Sequence, residues 1–338
     1  MKKLISLICV LAMVLALAAC GSSAPAAATE TPAASTEAPA EDVSADKTFV
    51  VGICQLVQHP ALDAATQGFK DALTEALGDK VTFQEQNASG DSATCSLICN
   101  QFVSDEVDLI MANATASIQA AASATNTIPI LGTSITDYGV ALGVDNWTGV
   151  SGTNISGTSD LAPLDGQAAM IQELFPDAKT IGLLYCSGEP NSIFQADSME
   201  ALLTDMGYSV ERYTFADSND VSSVTANACS NADVLYIPTD NTAASCTEAI
   251  NNVALSAGIP IVAGEEGLAS GCGVATLSIS YYALGRATGE MAAEILTEGA
   301  DISTMEVRFA PAFTKEYNAD ICEALNITFP DDYVAIAK

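Results

Sequence analysis

The sequence predicts an α/β protein in which two similar, doubly wound parallel-sheet domains face each other across a cleft. From Lys47 onward, short apolar runs alternate with amphipathic segments, which is the order of strands and helices in a parallel sheet covered on both faces. The order then starts again: "KTIGLLYC", "ADVLYIPTDNT" and "GIPIVAGEE" in the second half correspond to "FVVGICQ", "VDLIMANAT" and "TIPILGTS" in the first. A repeat at three ordered places indicates two tandem domains of the same kind.

The elements of the first domain follow from the spacing of its apolar residues. Strand patterns occur at "TFVVGI", "VTFQEQ", "VDLIMA" and "IPILG". Helical patterns lie between them at "ALDAATQGFKDALTEALG", "SATCSLICNQFVS" and "ASIQAAASA". Gly78 follows the first helical pattern, and we expect it to end that helix.

The chain begins with a pattern typical of an export signal. Lys2 and Lys3 precede the uncharged apolar run Leu4–Leu17, which leads into "LAAC", a sequence that resembles the lipobox of bacterial lipoproteins. We therefore expect residues 1–19 to be a signal peptide and Cys20 to carry the lipid that anchors the protein to the outer face of the cell membrane. The alternative is an ordinary secretory signal in which the cysteine is incidental.

Residues 20–46 consist mainly of Ala, Pro, Ser, Thr and Glu and contain no aromatic residue, which predicts a disordered tether. Removal of 1–19 takes away two of the 11 Lys and Arg, so the formal charge becomes 9 − 42 = −33. A chain this acidic is repelled by nucleic acid and by anionic lipid. We therefore expect no nucleic-acid partner, and membrane contact only through the lipid anchor.

The sequence contains ten cysteines, of which Cys9 leaves with the signal and Cys20 carries lipid. The other eight could pair as disulfides outside the cytoplasm. However, Cys54 falls in a strand pattern, and Cys95 and Cys99 lie on a helical pattern, which favours buried thiols. The sequence has no CxxC motif and a single histidine, so we expect neither a metal nor a cofactor.

Candidate binding residues lie in the polar turns that follow the predicted strands. Parallel sheets bind ligands beyond the carboxyl ends of their strands, and two facing domains bring both sets of turns to one cleft. The candidates are His59, Asp63, Asn113, Thr115, Thr133, Ser134 and Asp137 in the first domain, and Ser187, Glu189, Asn191, Ser192, Asp240, Asn241 and Glu265 in the second. Helix capping is the better explanation of any one of these turns, but six polar turns around one cleft favour a site.

The single histidine, His59, stands before Pro60, a residue that suits the first position of a helix. Catalysis is the least favoured interpretation of His59, because no GxSxG, HExxH or Gly-rich phosphate loop accompanies it. Contact with a ligand and a capping or packing role at the cleft rim both remain open. The sequence therefore predicts a binding protein rather than an enzyme.

The candidate cleft residues include acids but no lysine or arginine, which argues against a phosphate or polycarboxylate ligand. An ammonium group held by Asp240 with Asn241, together with a carboxylate at the N-termini of helices, describes an α-amino acid. A sugar or a nucleoside is the alternative ligand, because Asp and Asn also bind hydroxyl groups.

The chain resembles the extracellular substrate-binding lipoproteins of ABC transporters, in the group similar to tryptophan- and tyrosine-binding proteins. The segments that carry the resemblance run in order from about Phe49 to Pro330. They are "HPALD", "VDLIMANAT", "ITD", "TGVS", "IGLLYCSGEPNS", "PTDNT", "YYALGRATGEMAAEIL" and "YNADICEALNITFP". Tyr138 is a departure from the family pattern, which usually has proline after "TD".

This resemblance implies the type I periplasmic binding protein fold, in which the chain crosses three times between its two domains. It implies an N-terminal lobe made of residues 47–156 plus 282–310. The C-terminal lobe would then consist of residues 157–281 plus 311–338.

The resemblance also implies a function. It favours an aromatic amino acid as the ligand, with Tyr138, Tyr185 and Phe194 available to line an apolar side pocket. It implies an ABC permease and a separate ATPase as partners, since the sequence has no Walker A motif and no transmembrane span of its own. A sensor that presents its ligand-closed form to a membrane receptor and an exported hydrolase are the alternative functions.

Overall fold

The computed structural model describes residues 47–310 and 312–336; the predicted signal peptide, the tether and Cys20 lie outside these ranges. The strands are β1 Phe49–Gln55, β2 Val81–Asn87, β3 Leu109–Asn113, β4 Ile130–Ile135, β5 Ile155–Ser159, β6 Thr180–Cys186, β7 Ser209–Phe215, β8 Val234–Ile237, β9 Ile261–Ala263, β10 Ala275–Ser278, β11 Arg308–Phe309, β12 Thr314–Tyr317 and β13 Val334–Ala335. The α-helices are α1 Pro60–Leu77, α2 Ser92–Ser104, α3 Thr115–Ala124, α4 Tyr138–Leu142, α5 Leu164–Leu174, α6 Pro190–Asp205, α7 Val221–Asn231, α8 Asn241–Ala244, α9 Thr247–Ala257, α10 Glu266–Gly271, α11 Tyr281–Glu298 and α12 Ala319–Leu325. None of the helices in the described ranges is long and apolar enough to cross a membrane.

Two sheets organise this part of the chain, and each sheet with its helices is called a lobe below. The first sheet has the strand order β11-β5-β4-β3-β1-β2, and all its neighbouring strands are parallel. The second has the order β13-β12-β10-β9-β8-β6-β7 and is parallel except where β12 pairs with β10. The prediction of two similar, doubly wound parallel-sheet domains is confirmed. The polar strand β12 is an addition that the apolar pattern did not indicate.

The chain passes between the lobes after β5, after β10 and after β11. The predicted boundary between residues 156 and 157 falls inside β5. Gly157, Thr158 and Ser159 still pair with neighbouring strands of the first sheet. The structure therefore moves this boundary to the turn after Ser159, because the strand continues to that residue.

Helix α11 returns to the first lobe and packs on α1 so closely that only glycine fits at the contact. A Cβ on Gly285 would lie 1.9 Å from the carbonyl oxygen of Ala65, and one on Gly68 would lie 2.1 Å from the carbonyl oxygen of Tyr282. Such close contact fixes α11 against α1. Ala61 and Tyr281, near the N-termini of the two helices, consequently share one apolar cluster beside the lobe interface.

The cysteines of the described part of the chain are free thiols. Those that are buried are Cys54, Cys95, Cys99, Cys186, Cys272 and Cys322. Within residues 47–310 and 312–336, no group of three or more His, Cys, Asp and Glu side chains is arranged to hold a metal ion.

Candidate functional site

A small cavity lies between the lobes, where the carboxyl ends of both sheets meet. This interlobe cavity is lined by His59, Leu62, Ser134, Thr136, Asp160, Asn191, Thr239, Asp240, Asn241, Ala244, Glu265 and Tyr281. Its volume is about 10 Å³, which is about the space that one water molecule needs. The lobes are thus closed, and they must move apart before a larger molecule can enter.

A wider space of about 530 Å³ leads from the same interface to the surface. Asn191 and Asn241 belong to the walls of both spaces, so the two adjoin. The wider space, called the mouth below, has Leu56 and Val57 on the first lobe and Glu189 on the second. It therefore offers room beside the interlobe cavity for a molecule larger than water.

Side-chain contacts join the lobes across this interface. His59 Nε2 lies 3.3 Å from Asn241 Oδ1, within hydrogen-bonding distance. Thr136 Oγ1 lies 3.4 Å from Thr239 Oγ1. In each pair one residue follows a strand of the first sheet and the other follows a strand of the second, so both contacts exist only while the lobes are closed.

His59 occupies the position before α1 and has extended backbone geometry, as Pro60 at the start of the helix requires. Its side chain makes no capping hydrogen bond and is only 6% exposed. Burial lowers the pKa of His59, although Asn241 and nearby carboxylates act against that shift. If a neutral ring donates through Nε2 to Asn241, Nδ1 is left as an acceptor, and Nδ1 has no partner among the described residues.

Ser134 lies at the end of β4 in the left-handed region, with φ of 56°. This conformation is uncommon for a non-glycine residue, and strain of this kind clusters at binding sites. The side chain is 5% exposed, and its hydroxyl finds no hydrogen-bond partner in the described part of the chain. The backbone is therefore held so that an unpaired hydroxyl sits on the cavity wall.

Asp160 follows β5 directly and was not among the residues predicted for the site. It is 4% exposed and its Oδ2 accepts a hydrogen bond from the Tyr281 hydroxyl at 2.9 Å. Its other oxygen, Oδ1, is unpaired within the described ranges. Burial is the main cause that raises the pKa of Asp160 to about 6, against the hydrogen bond from Tyr281, which lowers it. A carboxylate with one free oxygen thus faces the interlobe cavity.

Asp240 and Glu265 also line the cavity, but backbone N–H groups use their oxygens. Asp240 accepts from the backbone of Cys186 at 2.6 Å and from that of Ala243 at 2.8 Å, which caps α8. Glu265 accepts from Gly267 and Leu268 and caps α10. Burial raises the pKa of Glu265 to about 7, and burial together with the Glu189 carboxylate raises that of Asp240.

Glu189 organises the second-lobe side of the mouth. Its Oε2 accepts from the backbone and side-chain nitrogens of Asn241, at 3.0 and 2.7 Å. Its Oε1 accepts from the backbone nitrogen and hydroxyl of Thr242, at 2.8 and 2.7 Å. Asn191 donates to Glu189 at 3.1 Å and to the Thr239 carbonyl at 2.9 Å. The carboxylate therefore fixes Asn241 in the position where it meets His59.

Half of the residues predicted for the site lie beside the two spaces rather than on their walls. These residues are Asp63, Asn113, Thr115, Thr133, Asp137, Ser187 and Ser192. Several of them hold local structure instead. Asn113 donates to the Leu62 carbonyl at 2.9 Å, and Asp137 caps α4 by accepting from Val140 at 2.8 Å. Asp63 accepts from Gln55 at 2.7 Å.

The structure adds wall residues that the sequence reasoning did not select, among them Thr136, Asp160, Thr239 and Tyr281. Thr136 and Thr239 lie inside turns that were singled out, so the strand-end rule could have found them. Asp160 and Tyr281 lie where the chain passes between the lobes, and the strand-to-helix turns gave no signal for either.

Two of the three aromatic residues expected in a side pocket, Tyr138 and Tyr185, take other positions. Tyr138 is buried in the first lobe, where its hydroxyl donates to the carbonyls of Gly132 and Thr158 and its ring stacks on Trp147 at 5.7 Å. Tyr185 belongs to the core of the second lobe. The expectation was wrong for these two residues, because each of them packs into the interior of its own lobe.

Comparison with known proteins agrees with this architecture. The family model described as ABC transporter substrate binding protein matches residues 50–338. A tyrosine-binding protein of Clostridioides difficile is 38% identical over 280 residues, which cover 82% of this chain and 81% of that protein. The structure of an ABC domain in complex with L-Trp from Streptococcus pneumonia is 30% identical, with a TM-score of 0.82 over 86% of this chain and all of that one.

A third comparison bears on the arrangement of the lobes. The ligand-free, open structure of a substrate-binding protein with adhesive properties from Clostridium difficile is 37% identical, over 86% of this chain and 100% of that one, yet its TM-score is 0.65. The present structure is thus closer in shape to the L-Trp complex than to the open form, although the open form is closer in sequence. This agrees with the contacts that close the interlobe cavity. With two parallel-sheet lobes joined by three passages of chain, the protein has the type I periplasmic binding protein fold and belongs to the substrate-binding proteins of ABC transporters.

Proposed function

We propose that this protein captures an aromatic L-α-amino acid, tyrosine or tryptophan, between its lobes, where the interlobe cavity and the mouth adjoin, and delivers it to an ABC importer. The observation that carries this proposal is the set of buried polar atoms without partners on the cavity wall. These atoms are His59 Nδ1, Ser134 Oγ and Asp160 Oδ1. Buried polar groups are normally paired, so three unpaired ones around a single cavity indicate a ligand that pairs them.

The chemistry of these atoms matches an α-amino acid. Asp160 Oδ1 and the neutral ring of His59 offer acceptors, which suit the three donors of an ammonium group. Ser134 can donate to a carboxylate. Among the described residues that line the cavity none is lysine or arginine, so the wall has no cationic clamp of the kind that favours phosphate or a dicarboxylate.

The relatives support the aromatic class of the ligand. One is named for tyrosine binding and another was solved with L-Trp. Both cover four fifths or more of this chain, including both lobes. Of the cavity wall, Leu62, Ala244 and the Tyr281 ring offer apolar contact. In the mouth, Leu56 and Val57 offer more.

Lipid attachment at Cys20 would hold the protein at the outer face of the membrane, with residues 20–46 as a tether. A permease in the membrane and a separate ATPase would then complete the importer. Closure of the lobes on the ligand would distinguish the loaded protein from the empty one for the permease.

A thermal-shift screen of the purified protein with the twenty amino acids, common sugars and nucleosides tests the ligand class. Tyrosine or tryptophan at about a hundred times its dissociation constant should add about 2.7 kcal/mol to the free energy of unfolding. Glycine and leucine serve as amino-acid controls, since they share the backbone groups but lack the ring. A shift with a sugar or a nucleoside and none with any amino acid would overturn the proposal.

A further inference from the structure

We infer that Asp160 is the anchor for the ligand's ammonium group and that it couples ligand charge to closure of the lobes. This inference rests on the proposed function, since it assigns one residue of the same site. Asp160 lies at the carboxyl end of β5, but the polar sequence of that strand did not mark it as a strand, so the sequence did not indicate Asp160 as a binding residue. Its surroundings in the structure do.

Three acids line the interlobe cavity, and their hydrogen bonds separate them. Each oxygen of Asp240 and of Glu265 accepts from a backbone N–H group, that of Cys186 at the end of β6 or those of Ala243, Gly267 and Leu268 at the starts of α8 and α10. Asp160 uses Oδ2 for the Tyr281 hydroxyl at 2.9 Å and leaves Oδ1 without a partner in the described part of the chain. Of the three, Asp160 therefore has a complete acceptor oxygen free for a donor that comes from outside.

Asp160 also lies at the pivot between the lobes. It is the first residue after β5, where the chain leaves the first lobe, and its backbone N–H donates to the Ile135 carbonyl at 3.1 Å. Tyr281 is the first residue of α11, where the chain returns to the first lobe. The bond between them thus links two of the passages between the lobes. A ligand ammonium group bound to Oδ1 would therefore contact the same carboxyl group that is hydrogen-bonded across these two passages, and so would stabilise the closed arrangement of the lobes.

The groups that face Asp160 explain why a cation would matter there. They are Tyr281 from α11, Glu265 at the start of α10 and Tyr138 from α4, and His59 and Asp240 share the cavity wall. No lysine or arginine is among them. Without a ligand the buried carboxyl group therefore retains a proton more readily than an ordinary aspartate does. An ammonium group restores its charge, so capture below about pH 6 should release a proton.

The first test uses Asp160→Asn, which keeps the shape and the acceptor for Tyr281 but loses the charge. Asp137→Asn is the matched control, because Asp137 caps a helix of the first lobe and lies outside the cavity. Calorimetric titration at pH 7.5 with L-tyrosine should show affinity weakened between about tenfold and a hundredfold in Asp160→Asn, and within about twofold of the parent in the control. An Asp160→Asn protein that binds L-tyrosine as the parent does would overturn the inference.

The second test needs no variant. The des-amino analogue 3-(4-hydroxyphenyl)propanoate lacks the ammonium group, so its affinity for the unmodified protein should not fall as the pH is lowered from 7.5 to 5. The affinity for L-tyrosine should fall, by up to about tenfold per pH unit below the pKa of Asp160. Parallel pH profiles for the two ligands would contradict the inference while leaving amino-acid binding intact. Failure of L-tyrosine and L-tryptophan to bind the unmodified protein at any pH would instead overturn the proposed function itself.

Discussion

His59 and Asn241 belong to different lobes, and their side chains meet with Nε2 and Oδ1 3.3 Å apart. Glu189 holds Asn241 in place by accepting from its backbone and side-chain nitrogens. Pro60, the first residue of α1, in turn fixes the position of His59 directly before the helix. The pair therefore reports whether the lobes are closed, and it stabilises only the closed state.

A double-mutant cycle measures this relationship. His59→Ala and Asn241→Ala should each weaken the affinity for L-tyrosine, and the double variant should lose less than the sum of the two. The expected coupling is about 1 kcal/mol, the usual net contribution of one hydrogen bond. Because the contact is absent when the lobes are apart, the unfolding midpoint without ligand is a control, and coupling should be smaller there. Strict additivity in affinity would show that the pair plays no part in closure.

Asp240→Asn separates capping from ligand binding. Both oxygens of Asp240 accept from backbone N–H groups, and the amide of asparagine would place a donor against one of them. We expect a loss of about 0.5–2 kcal/mol in the free energy of unfolding, the usual range for a lost cap. Any loss of affinity should accompany this loss of stability. A stable Asp240→Asn protein with affinity reduced more than tenfold would instead identify Asp240 as the ammonium anchor.

Stability without ligand should depend on pH through Asp160. Its pKa is about 6 in the folded protein and near the ordinary value of about 4 when unfolded, so the folded state holds its proton more tightly. This contribution to stability is fully present below about pH 4 and is lost as the pH rises through about 6. Asp160→Asn should therefore be more stable than the parent at pH 8, by about 1.4 kcal/mol for each unit of the pKa difference. Urea unfolding at pH 4 and pH 8 checks this, and equal differences at both pH values would contradict it.

The lipid anchor is tested at Cys20. If the lipid is attached to this sulfur, as we propose, Cys20→Ala should move the protein from the membrane fraction to the medium or periplasm. Replacement of Cys54, which is buried in the first lobe, by Ala is the control and should leave the membrane fraction unchanged. A Cys20→Ala protein that stays with the membrane would show that the signal pattern was misinterpreted.

The fold was predictable because its signals are local. Buried strands such as β3 and β4 appear as short apolar runs, since helices cover both faces of the sheet. The repeat of these runs in the second half then predicts two domains. The end of β5 was harder to place, because its sequence "ISGTS" is polar and only pairing with β4 and β11 defines it as a strand.

The site was predictable only in part. The strand-end rule found His59, Ser134, Asn191, Asp240, Asn241 and Glu265, which all line the interlobe cavity. It could not show that backbone N–H groups use the oxygens of Asp240, because that depends on how the neighbouring turn folds. It also missed Asp160, because the polar strand β5 that precedes this residue was not recognised as a strand. Asp160 lines the cavity beside Tyr281, to which it is hydrogen-bonded. These two residues are 121 positions apart in the sequence, so their contact could not be predicted from it.

The most direct test of the central claim is calorimetric titration of the purified protein with L-tyrosine and L-tryptophan at pH 7.5. We predict saturable binding of at least one of them with one ligand per chain, and binding weaker by about tenfold or more for its des-amino analogue. An interlobe cavity that binds neither amino acid, or that binds the analogue as tightly as the amino acid, would contradict the account.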